Sequence, residues 1–184
     1  MNKNQEKNPW KTLTTETVLN NNWIKVVHHD VINPAGNKGI YDVVHFNGIA
    51  VGVIPLDEDG NIVLVGQYRY PVERYSWEIP EGGGALGQDP ILAAKRELLE
   101  ETGIKAEKYT KILEMHLSNS VTDEFAVIYL AENLTYHESN PEETEELQVR
   151  KLSLDEVYEM VISGEITDSL TVAGILRLKI LLGE

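Results

Sequence analysis

The stretch from Trp77 to Ile104, WEIPEGGGALGQDPILAAKRELLEETGI, constrains this chain more than any other. It reads as a short extended segment from Trp77 to Pro80, a glycine-rich loop, and then a helix. Asp89 is placed to cap that helix, and Pro90 suits its first position. Gly103 falls at the C-terminal cap, where a positive φ is often needed. The helix carries Arg96, Glu97, Glu100 and Glu101. Glu97 and Glu101 are four residues apart, so they stand on one face, and Glu100 borders it. Like charges at such spacings weaken a helix by roughly a few tenths of a kcal/mol per pair. The arrangement calls for a cation, and a divalent metal is the obvious candidate.

On the N-terminal side, residues 12–32 favour strands, with WIKVVHHDVI the clearest run. Asn33 to Asn37 is a turn signal, and GIYDVVHF returns as a strand, so residues 22–46 read as a hairpin or meander. His28 and His29 are adjacent on a strand and point to opposite faces, so they give no metal spacing. Asn47-Gly48 marks a soft boundary. IAVGVIPL reads as a buried strand, Asp57 to Gly60 as a turn, and NIVLVGQYRY as its antiparallel partner, ended by Pro71. Beyond the helix, TKILEMHLS and EFAVIYLAENL read as strands separated by the polar loop at 119–123. An acidic loop fills 136–146, and LQVRKLS is a last short strand. Ser153 and Glu156 form a capping box for one helix, and a final helix runs from about Ser169 to Leu182. Strict alternation of strand and helix is missing, so the expected class is α+β with a mixed sheet.

Composition removes several function classes. The net charge of −14 argues against a nucleic-acid or anionic-membrane surface, and no run is apolar enough to span a membrane. The polar N-terminus lacks the apolar core of a secretory leader, and the chain has no cysteine, which excludes thiolate metal sites. A cytoplasmic location is the expectation. Any metal should be hard, so Mg²⁺, with Mn²⁺ as an alternative, fits the carboxylates best.

The spacing of Gly82, Gln88 and the run from Arg96 to Ile104 resembles the Nudix box, Gx5Ex7REUxEExGU with U aliphatic. Six specified residues at roughly 5–7% background would match by chance about once in 10⁷–10⁸ starts. One position departs, since Gln88 stands where the family has its first glutamate. Glutamine keeps the hydrogen bonds but not the charge. The resemblance implies an α/β/α sandwich, preceded here by an antiparallel β region. That divides the chain into 1–46, for dimerisation and substrate contacts, and 47–184, the catalytic domain. It also implies that Glu97, Glu100, Glu101 and the Glu81 carbonyl hold the metal, and that Arg96 braces the loop.

GQYRYPVERYSWEIPEGGG and SGEITDSLTVAGILRLK are similar to segments of the ADP-ribose pyrophosphatases and related nucleoside diphosphate sugar hydrolases. By that resemblance Arg69 contacts the diphosphate, Glu124 approaches the terminal ribose, and Glu145 is the general base, with Glu143 and Glu146 as alternatives. Trp23 either stacks on the nucleobase or belongs to the core. The implied enzyme is a homodimer that cleaves the pyrophosphate of ADP-ribose or a similar substrate into a nucleoside monophosphate and a sugar phosphate. The alternatives are a hydrolase of GDP-mannose type and a non-catalytic nucleotide-sugar sensor, the latter prompted by Gln88.

Overall fold

The computed structural model describes residues 7–139 and 147–183. The chain divides into two compact units, Met1–Asn47 with Ser118–Glu124, and Gly48–Leu117 with Phe125–Glu184. The first unit is an antiparallel meander of β1 (Lys11–Asn20), β2 (Ile24–Ile32) and β3 (Lys38–Phe46). The Asn33–Asn37 turn closes its second hairpin, with Asn33 Oδ1 accepting from the backbone of Ala35 and Asn37. His28 and His29 do face opposite ways: one pairs with Asp42 and the other meets Thr15. The polar loop at 118–124 groups with this unit rather than with the second. Val44 N donates to Val121 O at 2.9 Å, and Asp123 binds both His45 Nδ1 and Phe46 N.

In the second unit, β4 (Gly48–Pro55), β7 (Glu81–Ala85), β8 (Ile104–His116) and β9 (Phe125–Tyr136) form one sheet in the order β7-β4-β9-β8, with β4 and β9 parallel. A second sheet orders β10-β5-β6, from β5 (Asn61–Arg69), β6 (Arg74–Glu78) and β10 (Gln148–Ser153). Side chains alternate along the continuous apolar runs and so bury both faces. Val53, Val63, Val127 and Tyr129 pack with Ala94 and Leu98 of helix α1 (Pro90–Thr102). Ile54, Leu64 and Ile128 pack with α2 (Leu154–Ile162) and α3 (Ser169–Leu182), among them Val157, Ile175 and Leu178. Helices on both faces of mixed pairing give the α+β sandwich. Among the described residues no helix is long and apolar enough to cross a membrane.

Two expectations fail here for the same reason. NIVLVGQYRY is not the antiparallel partner of IAVGVIPL: beyond one bridge, Leu56 to Ile62, the strands part, and β5 joins β6 and β10. The glycine-rich stretch is not a loop, because Glu81–Ala85 pairs with Gly48–Gly52 as β7. Gly82 and Gly84 let α1 lie close on this strand; a Cβ on Gly84 would already stand 3.2 Å from Ala93 Cβ. Tertiary pairing settled both, and local pattern does not report it.

The caps of the helices follow the sequence. Asp89 accepts from Ile91 N, Gly103 closes α1 at φ 69°, and Ser153 with Glu156 forms the full capping box. The β4–β5 turn depends on Asp57, whose Oδ1 accepts from Asp59 N and Asn61 N and whose Oδ2 pairs with Lys151 Nζ at 2.5 Å. Burial pushes this carboxyl up, but Lys151 and Asn61 outweigh it and hold its pKa at about 2, against an ordinary 3.8. As pH falls the unfolded chain takes up this proton first, so the contribution is complete above about pH 4 and is lost as pH falls through about 2. Asp57→Asn should therefore cost roughly 1–3 kcal/mol at neutral pH. Urea midpoints of variant and wild type should converge as pH drops across that window; a constant gap would contradict the assignment.

Candidate functional site

Helix α1 buries an unusual face. Ala93, Ala94, Glu97, Leu98 and Glu101 all point inward, and Glu97 and Glu101 are only 9% and 1% exposed. A carboxylate taken from water must be compensated by charge or hydrogen bonds. Glu101 Oε2 accepts from the Glu81 backbone N–H at 3.0 Å. Glu97 lies flat against Gly82, where a Cβ would stand 2.3 Å from its Cδ, so only glycine leaves room for the carboxylate. Arg96 pairs with Glu97 and, at 3.4 Å, with Glu100, and its Nη2 donates to Gly83 O at 2.7 Å. The arginine thus ties helix to strand, the bracing that the sequence led us to expect.

A second acidic group lies beside the first. One ligand atom each from Glu78, Glu81 and Asp168 falls within 4.8 Å of the others. Glu78 ends β6 at 2% exposure. Arg69, at the end of β5, meets it with Nε at 3.0 Å from both oxygens and Nη2 at 2.6 Å, and the same Nη2 reaches Glu81 Oε1 at 2.6 Å. Burial alone would lower the Arg69 pKa, but bonding to Glu78 and the charge of Glu81 drive it upward, so this guanidinium stays charged. Burial raises the Glu81 carboxyl well above the usual carboxylate range, with the charges of Asp168 and Glu78 adding to the shift. Glu81 Oε2 is buried with no hydrogen-bond partner among the described residues.

Asp168 comes from the N-terminus of α3, where its Oδ2 accepts from Thr171 N and Thr171 Oγ1 at 2.7 and 2.8 Å. The fully buried Thr171 in turn accepts from Ile79 N at 2.9 Å. This relay fixes the start of α3 to the bend between Glu78 and Glu81. A cavity of about 350 Å³ opens there, walled by Arg69, Glu78, Glu81 and Asp168.

The structure brings together five of the expected site residues: Arg69, Glu81, Glu97, Glu100 and Glu101. Arg69 reaches carboxylates, while its Nη1 has no protein partner among the described residues. Trp23 and Glu124 belong to the first unit. Trp23 is 78% exposed, which removes it from the core, and burial raises the Glu124 carboxyl. Glu145 and its alternatives Glu143 and Glu146 lie outside the described residues. Gln88 is exposed, and its backbone N–H closes a turn on Ala85 O. Glu78 and Asp168 escape a reading of the sequence. A lone glutamate inside the apolar run SWEIP is the only local trace of the first, and Asp168 reads simply as a helix cap.

The residues fit a divalent ion. The donors are hard carboxylate oxygens, one of which, Glu81 Oε2, is buried without a partner among the described residues, and Gly82 leaves space for the Glu97 carboxylate.

Comparison with known proteins agrees with this geometry. Residues 46–169 match the NUDIX domain, and residues 10–44 match the nucleoside diphosphate sugar hydrolase N-terminal domain. The chain is 35% identical over 172 residues to an ADP-ribose pyrophosphatase of Bacillus subtilis (strain 168), covering 92% of each protein. It is 34% identical over 172 residues to a methanol dehydrogenase activator of Bacillus methanolicus, again covering 92% of each. A crystal structure of an ADP compounds hydrolase superposes with a TM-score of 0.85 over 97% of both chains at 22% identity, which shows the shared fold. The buried glutamates of α1, the glycine that receives one of them and the match across most of the chain agree, and the protein belongs to the Nudix family.

Proposed function

We propose that the protein is a Mg²⁺-dependent hydrolase of the pyrophosphate bond of ADP-ribose or a related nucleoside diphosphate sugar. It would release a nucleoside monophosphate and a sugar phosphate. The observation that carries the reading is the pairing of inward-facing Glu97 and Glu101 with the glycine strand they press against. Likeness over nearly the whole chain to an ADP-ribose pyrophosphatase supports the substrate class. Glu97, Glu100, Glu101 and the Glu81 carbonyl hold the ion, Mg²⁺ or alternatively Mn²⁺. When bound, such an ion supplies Lewis acidity toward phosphoryl oxygens and acidifies water.

The chain's own residues supply position. Arg69 is anchored from behind by two carboxylates and presents Nη1 to a diphosphate, so little of its freedom is left to lose on binding. Arg96 holds α1 against β7 and so keeps the glutamates in register with the strand. Glu145 takes the proton of the attacking water, Glu124 approaches the terminal sugar, and exposed Trp23 stacks on the base. The first unit serves dimerisation, since β1 is exposed along its length and carries Val18 at 65%. The location is cytoplasmic.

A panel of ADP-ribose, GDP-mannose and other sugar nucleotides with Mg²⁺ or Mn²⁺, read by release of nucleoside monophosphate, tests the activity. Turnover of GDP-mannose alone would move the substrate. Binding of ADP-ribose without turnover would identify the sensor suggested by Gln88.

Glu101→Gln removes a charge from a group 1% exposed, and kcat should fall at least about a hundredfold while the fold persists. Near-normal turnover would sink the assignment. Gly82→Ala forces Glu97 away from the strand, and Mn²⁺ affinity by calorimetry should drop roughly tenfold or more; unchanged affinity would show that Glu97 does not hold the ion. Sedimentation at micromolar concentration should give twice the chain mass of 20.7 kDa, and a monomer would refute the dimer.

A further inference from the structure

Thr171 places a hydroxyl in the interior at 0% exposure, in the first turn of α3. A buried hydroxyl is unfavourable unless its donor and acceptor capacities are both used. Here they are: Oγ1 gives its proton to Asp168 Oδ2 at 2.8 Å and accepts from Ile79 N at 2.9 Å. The first of these bonds repeats the work of the Thr171 backbone N–H, which reaches the same Oδ2 at 2.7 Å. The cap of α3 therefore stands without the hydroxyl. What depends on it is the N–H of Ile79, a fully buried residue that lies between β6 and β7 and belongs to neither.

The bend from Glu78 to Glu81 is held differently at its two ends. At the Glu81 end, Pro80 O accepts from Val53 N at 2.8 Å, Glu81 N donates to Glu101 Oε2 at 3.0 Å, and Glu81 pairs with Gly52 in the larger sheet. At the other end the last ladder pair is Glu78 with Val65, and the next N–H goes to Thr171. That N–H shares one planar peptide with the Glu78 carbonyl, so fixing it fixes the direction in which Glu78 leaves the strand. Packing leaves little slack around it. A Cβ on Gly52 would stand 2.8 Å from Ile79 Cδ1 and 3.3 Å from Leu170 Cδ2, so β4, the bend and α3 already touch. The Glu78 side chain set in this way is the one that takes Arg69 Nε at 3.0 Å on both oxygens.

We infer that Thr171 is a positioning residue for substrate: through Ile79 N it fixes the backbone of Glu78, and through Glu78 it sets the reach of the Arg69 guanidinium toward the diphosphate. The inference rests on the proposed function and divides the bend by task. Thr171 governs the grip on the substrate, while the Glu81 end keeps its own ties to β4 and α1. Arg69 holds the diphosphate alike in the bound state and during reaction, so loosening it raises KM and leaves kcat.

The test uses the full chain with Mg²⁺ and compares wild type with Thr171→Val, Thr171→Ser and Thr171→Cys, each checked for folding by its urea midpoint. Binding is read by calorimetry with an ADP-ribose analogue that carries a methylene in place of the bridging oxygen and is not hydrolysed; ADP-ribose itself gives KM and kcat. Thr171→Val should raise the Kd of the analogue and KM about tenfold, with kcat within about threefold and Mn²⁺ affinity within about twofold. Thr171→Ser should return Kd and KM to within about twofold of wild type, and Thr171→Cys, whose sulfur is a weak acceptor, should fall between. Should Thr171→Val not fold, the cysteine variant carries the comparison. An unchanged Kd without the hydroxyl, an equal loss of Mn²⁺ affinity, no recovery in Thr171→Ser, or no binding of the analogue by wild type would overturn the positioning role. A wild type that binds the analogue but hydrolyses no sugar nucleotide would overturn the activity instead. Weaker binding in Thr171→Val with recovery in Thr171→Ser would still uphold the role of Thr171 in that event.

Discussion

The second unit is built around carboxylates that have been taken out of water. Glu78, Glu97 and Glu101 are buried, and Glu81 is nearly so, all where β6, β7 and α1 meet. Desolvating one such charge costs several kcal/mol even after the protein relaxes, so the site persists only if every charge finds compensation. Much of the local sequence serves that end. The glycines of β7 bring bare backbone to the glutamates, the Glu81 N–H donates to Glu101, and two arginines enter from different elements. Replacing the carboxylates with leucines would give a simpler core, which is why their retention speaks for chemistry rather than stability.

The two arginines divide the work. Arg96 lies on the helix with its partners, reaches Glu97 and Glu100 within one turn, and ends on the Gly83 carbonyl. It is half exposed, so its ion pairs are weak in energy, and its value is geometric. Arg69 arrives from β5, and its pairing with Glu78 is bidentate and largely buried. That bond lies within the smaller sheet, and the second contact of the same guanidinium, to Glu81 Oε1, reaches the glycine strand of the larger one. The Thr171 relay does the same from the other side, since α3 reaches Ile79 N through one buried hydroxyl. Three elements distant in sequence thus converge on the bend from Glu78 to Glu81.

What the sequence disclosed was local. The caps of α1 and α2 could be read from Asp89, Gly103 and Ser153, because capping is settled within four residues. The helix glutamates were legible through their spacing. Partner choice was not. The strand character of Glu81–Ala85 depends on its pairing with Gly48–Gly52, far away in the chain, and the parting of β4 from β5 depends on β9 and β10. Glu78 and Asp168 were hidden for the same reason, since neither is acidic company for the other until the chain has folded. The loop at 118–124 likewise joins the first unit through His45 and Asp123, a contact that no periodicity announces.

Gln88, the one departure inside the motif, gains a physical reading from its position. Its backbone N–H closes a turn on Ala85 O next to Gly87, which holds φ at 81°, and its side chain is exposed. A turn fixed by backbone bonding and a positive-φ glycine does not require charge on the neighbouring side chain. Removing a charge from an exposed position changes local electrostatics by well under a kcal/mol in most settings. The glutamates that sit in low dielectric, Glu97 and Glu101, are both retained, and their interactions with Gly82 and the Glu81 N–H do not involve Gln88. The substitution therefore falls on the solvent side of the motif, where the geometry of the buried carboxylates does not depend on it.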